Sequence, residues 1–169
     1  MKKLLKSSFG HWLFIPVSLL VILIDQGTKT FAIANLKTGV SVPVIDGFLS
    51  WRLVYNDSAA FSLGFGYTWI LAVLATLATM ATIWFGRKIE SGSWALMGGV
   101  FLGGVVGNLI DRLTREPGFG NGHVVDFIQV PLNFPVFNLA DSAIVVIATL
   151  AVIRISRGES LGGLLPKKS

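Results

Sequence analysis

The chain has 169 residues, of which 53% are hydrophobic and 14% charged, with a mean hydropathy of +0.71 and a formal net charge of +5. A soluble domain carries about 25% charged residues, and a chain this short cannot hide so much apolar surface in a water-facing core, which argues against an ordinary soluble enzyme. With no cysteine there can be no disulfide, thiolate metal site or cysteine nucleophile, and the two histidines, His11 and His123, are too few for a multi-histidine metal site.

Four apolar stretches read as transmembrane helices, at about residues 12–34, 69–85, 94–113 and 137–155. Trp12, Trp69, Trp84 and Trp94 fall near their ends, where aromatic belts are expected. The first stretch is too long for the apolar region of a cleavable signal peptide and lacks a small-residue cleavage site after it. Lys2, Lys3 and Lys6 precede it, Arg87 and Lys88 join the second and third, and Arg154, Arg157, Lys167 and Lys168 follow the fourth. Nine of the 14 basic residues thus share one side, which the positive-inside rule makes cytoplasmic together with both termini. The basic charge is then a topology signal, and no aromatic-interleaved patch points to nucleic acid. The whole chain, 1–169, reads as one membrane-embedded domain with a short cytoplasmic end from Gly158 to Ser169 expected to be disordered.

The long connections, about 35–68 and 114–136, fall on the outer side. Alternation through Val40–Val44 and Phe48–Tyr55 predicts two short strands about a turn at Asp46-Gly47. Pro117, Gly118, Gly120, Asn121 and Gly122 predict a flexible turn-rich segment in the second connection. The glycines of the third span, Gly99, Gly103 and Gly107 with Gly98 and Gly104, form small-residue ridges suited to close helix packing, or to an acyl chain.

Charges inside a bilayer are costly and mark function. Asp25 and Lys29, at i and i+4 in the first span, read as a structural ion pair, with direct catalysis as the alternative. Asn108, Asp111 and Arg112 end the third span, where Asp111 or Arg112 would cap or snorkel, or Arg112 would orient a carboxylate or lipid carbonyl. Asp126, in the apolar run His123–Ile128, and Asp141, about one turn into the fourth span, both have apolar neighbours. Two carboxylates in a low-dielectric site cannot both ionise easily, so the pair would offer one acid and one base for peptide hydrolysis. An N-cap or helix-end role for Asp141 and a surface loop for Asp126 are the plainer readings. Spacing gives little support to a serine–lysine pair between Ser58 or Ser62 and Lys29, and no zinc or phosphate-loop motif occurs.

Several blocks together resemble the lipoprotein signal peptidase (signal peptidase II) family: Asp25-Gln26-Gly27-Thr28-Lys29, Tyr55 to Ser62, Gly104 to Arg112, Val124-Val125-Asp126-Phe127 and Phe137 to Ser142. They stand in the family's order. The resemblance implies an all-α polytopic membrane protein with four transmembrane helices, a small extracytoplasmic β-cradle and a lid segment within 36–67. It implies an intramembrane aspartyl endopeptidase of the bacterial inner membrane, active near the outer leaflet, that removes the signal peptide of diacylglyceryl-modified prolipoproteins just before the lipidated cysteine. Asp126 and Asp141 match the catalytic dyad. Asp25, Lys29, Asn56, Asn108, Arg112, Asn138 and Ala140 match positions that support the site or contact substrate and globomycin-type inhibitors. No metal or cofactor is expected. Ser58 departs from the family's glycine, a residue that suggests a tight backbone or positive φ there. The rival reading is a non-enzymatic transport or scaffold protein in which Asp25, Lys29 and Asp141 relay an ion or proton.

Overall fold

The computed structural model describes residues 9–58 and 68–163, with side chains from Trp12 onward. The expected lid, Ser62 and the terminal lysines lie outside those residues. Four helices, α1 (Phe9–Asn35), α2 (Thr68–Gly86), α3 (Gly92–Thr114) and α4 (Leu139–Ser156), are each long and apolar enough to cross a membrane. Their outward faces are greasy, with Leu23, Phe31 and Val152 among the most exposed residues. That inversion suits a lipid solvent, in which helices satisfy every backbone group internally.

The most apolar stretch of α3 is 56% buried against 6% for α4, so α3 is the hub on which α1, α2 and α4 pack. The glycines explain how they come so close. A Cβ on Gly103 would stand 2.5 Å from Val21 Cβ and 2.9 Å from the Ser18 carbonyl of α1, and one on Gly104 would stand 2.8 Å from the Ala140 carbonyl of α4. Gly99, Gly103, Gly104 and Gly107 therefore serve helix packing.

At the end of the bundle where α1 stops and α2 starts lies a three-stranded antiparallel sheet in the order β1 (Ser41–Ile45), β2 (Leu49–Asn56), β3 (Val124–Gln129). The first two strands and their turn follow the sequence reading. The third corrects it: the second connection is not uniformly a flexible turn, because Val124–Gln129 completes the sheet against β2, with Val54 opposite Asp126 and Asn56 opposite Val124. Ala32, Leu53, Val125, Phe127 and Ile128 form the core that joins this sheet to α1.

Two boundaries also move. Phe137, read as the start of the fourth span, instead exchanges backbone hydrogen bonds with Ile128, and α4 begins at Leu139 behind an Asn138 cap. Beyond α4, residues 158–163 are not loose: the Gly162 carbonyl accepts from the Glu90 and Ser91 backbone N–H groups, tying the turn Leu161–Gly163 to the α2–α3 connection.

Candidate active site

Asp126 enters the site from β3. Strand pairing buries it to 1% exposure, and its two oxygens accept from Asn138 Nδ2 at 2.6 Å and Asn56 Nδ2 at 2.8 Å. Asn56 reaches it from the neighbouring strand, oriented by Ser58, whose backbone N–H and hydroxyl donate to Asn56 Oδ1 at 3.0 and 3.1 Å. Burial, and then the negative charge of Asp141, push the Asp126 carboxyl up to about 7. It therefore keeps a proton to higher pH than an ordinary carboxyl does.

Asp141 enters from the first turn of α4. Asn138 Oδ1 accepts from the Asp141 backbone N–H at 2.9 Å, and Asp141 Oδ2 accepts from the Asn138 N–H at 3.1 Å, a reciprocal capping box. Its other oxygen accepts from Asn108 Nδ2 at 2.8 Å. The N-cap is thus Asn138 and not Asp141, which takes the third helical position of the capping box and shares Asn138 with Asp126. Asn138, fully buried, joins the two acids: its amide nitrogen holds Asp126 while its oxygen and backbone hold Asp141.

Beneath this pair lies a buried ionic cluster. Lys29 Nζ, with no exposure, has its three donors directed at Asp25 (2.8 Å), Asp111 (2.8 Å) and Asn108 Oδ1 (2.9 Å). Saturated in this way, Lys29 cannot act as a general base toward Ser58. The cluster also reaches the backbone just before each acid: Asp25 Oδ1 accepts from the Ala140 N–H and Asp111 Oδ2 from the Val125 N–H, both at 3.2 Å. This is the place of Ala140, whose side chain is wholly buried against the bundle. Gln26 Nε2 lies against Asp25, Asp111 and the Gly107 carbonyl, and Arg115 Nε donates to Asp111 at 2.6 Å. The ion pair read from Asp25 and Lys29 is real, but it is one side of a larger cluster. Asp111 neither caps nor snorkels; it is fully buried against Lys29. Its importance was not visible because its partner sits on another helix.

Arg112, 8% exposed, donates from Nη2 to the Ser58 carbonyl at 3.0 Å. Its Nη1 is buried without a hydrogen-bond partner among the described residues, in electrostatic reach of Asp126 and Asp141. A buried unpaired donor beside two acids is a place for an acceptor atom of a ligand. Ser58 itself does not adopt the positive φ that a glycine would suggest; Leu132 and Asn133 are the non-glycine residues that do so among the described residues.

A polytopic fold that brings two acids, each hydrogen-bonded to Asn138, over a buried ionic cluster has a layout suited to a membrane enzyme. The relatives say which kind. A family model described as Signal peptidase (SPase) II matches residues 17–157. The lipoprotein signal peptidase of Leifsonia xyli is 45% identical over 94% of this chain and 74% of its own length, and that of Mycobacterium leprae is 43% identical over 83% and 70%. A solved bacterial membrane enzyme superposes with a TM-score of 0.76 at 26% identity, covering 90% of this chain and 92% of that one, and a second with 0.71 at 28% identity, covering 82% and 89%. The chain belongs to the lipoprotein signal peptidase (signal peptidase II) family, a family of multi-pass membrane peptidases.

Proposed function

We propose that this protein is an aspartyl endopeptidase that cleaves the signal peptide from diacylglyceryl-modified prolipoproteins on the amino side of the lipidated cysteine. The observation that carries the reading is the shared grip of Asn138 on Asp126 and Asp141, two acids on different elements with unlike surroundings. Asp126, buried and raised to about 7, holds the proton; Asp141, at the N-terminus of α4 where the positive end of the helix dipole suits a negative charge, is the base.

Asp141 takes a proton from water as its oxygen attacks the scissile carbonyl carbon, and Asp126 delivers its proton to the carbonyl oxygen, giving a neutral gem-diol. Asp141 then passes its proton to the amide nitrogen while Asp126 recovers one from the diol, and the C–N bond breaks to leave an acid and an amine. Arg112 Nη1, without a partner among the described residues, donates to a substrate carbonyl. Asn56, Asn108 and Asn138 orient the acids; Asp25, Lys29 and Asp111 fix the backbone that carries them. The positive-inside pattern of Arg87, Lys88, Arg154 and Arg157 supports cytoplasmic termini and a site at the outer leaflet, where an acylated substrate is already concentrated.

The test is cleavage of a purified prolipoprotein with and without its diacylglyceryl group, read by intact mass. The expected product begins at the lipidated cysteine and forms only from the lipidated substrate. Cleavage elsewhere, or none by folded protein, favours the transport or scaffold reading.

A further inference from the structure

At the opposite end of the bundle from the acids, the cleft between α2 and α4 widens into a cavity of about 350 Å³. Trp94, Met97, Gly98 and Phe101, spaced along one face of α3, form its back wall, and the Phe14 ring of α1 closes it from behind. That ring is wedged between Gly86 and Gly98, where an added Cβ would stand 2.7 and 2.9 Å from it. The anchored turn at Leu161–Gly162 covers the end of the cavity.

The chemistry of the walls limits what fits. Apart from Lys88, the polar side chains lining it are Thr82, whose hydroxyl already donates to the Ala78 carbonyl at 2.7 Å, and Trp94, whose Nε1 is buried without a hydrogen-bond partner among the described residues. With one indole N–H as its single spare polar atom among the described residues, the interior offers an occupant chiefly dispersion contacts, conditions that disfavour water and suit a hydrocarbon chain. The rim is cationic. Lys88 Nζ rests 3.4 Å from the Trp84 ring centroid, which holds it at the edge. The nearby Arg154 is committed to Glu159 and stacks on Trp94, so Lys88 is the lining cation left to meet an anion.

We propose that this cavity binds one acyl chain of an anionic phospholipid from the leaflet at this end of the bundle, with the lipid phosphate on Lys88. The competing occupant, the apolar helix of a signal peptide, carries a basic N-terminal region that Lys88 and Arg87 would repel. The site is separate from the acids and does not depend on the peptidase reading.

Native mass spectrometry of the full chain in neutral detergent, titrated with phosphatidylglycerol or phosphatidylcholine of identical chains, tests it. Wild type is expected to retain phosphatidylglycerol about fivefold better, the ratio that one lysine at a membrane surface supports. Lys88→Gln should equalise the two lipids. Ala148→Phe with Ala151→Phe, or Ala81→Phe from the α2 side, should fill the cavity and lower retention of both. Equal retention by wild type, undiminished retention by the folded filled variants, or one-for-one displacement of lipid by an apolar peptide with a basic N-terminus would overturn the proposal.

Discussion

Replacing Lys29 by methionine removes one positive charge from a cluster that is otherwise balanced, with Lys29 and Arg115 against Asp25 and Asp111. Each 2.8 Å contact is worth about 6 kcal/mol of gross attraction at an effective dielectric of about 20, most of it offset by desolvation. What remains after the mutation is an unpaired carboxylate at Asp25, 1% exposed, and breaking a buried pair from one side costs about 3–5 kcal/mol. For a chain of this size that lowers the melting temperature by about 6–20 °C. Thermal unfolding in detergent measures it. The double variant Lys29→Met, Asp25→Asn should recover most of the loss, because Asp111 keeps Arg115 and no charge is left unpaired. A shift below about 2 °C for Lys29→Met, or a double variant less stable than the single one, would refute the charge-balance reasoning.

Protonated Asp126 is the acid in the proposed reaction, so kcat/KM should fall as pH rises through about 7, read from a pH–rate profile; a profile flat to pH 9 contradicts the assignment. Asn138→Ala should destabilise the protein by about 1–3 kcal/mol and cut cleavage at least tenfold, since it loses the cap and the donor to Asp126 together. Asn138→Ser restores the cap but not that donor, so thermal stability should return while turnover does not. Ser58→Gly keeps the backbone donor to Asn56 and loses only the hydroxyl, so cleavage should stay within about threefold of wild type.

The four spans could be read because each is an uninterrupted apolar run, and β1 and β2 because one face is apolar and the other polar. β3 escaped notice for a physical reason: Val124 to Ile128 are all buried, so the strand carries no alternation. The acids themselves stood out as carboxylates in apolar surroundings. Their partners were harder to read. Asn138 looks like any residue ahead of a helix, and only the pairing of Ile128 with Phe137 shows why it must sit beside Asp126. Asp111 and Arg112 at the end of the third span suggest a cap or a snorkelling side chain, whereas the fold sends Asp111 to Lys29 and Arg112 to the Ser58 carbonyl. Contacts between distant elements are set by strand register and helix packing, which local sequence does not encode.

The most direct test of the central claim compares wild type, Asp126→Asn and Asp141→Asn in a gel-shift assay on a diacylglyceryl-modified prolipoprotein. Amides keep the shape and remove the ionisable group, so the account predicts wild-type cleavage and a loss of at least about 10²-fold in each folded variant. Wild-type turnover by either variant would contradict it.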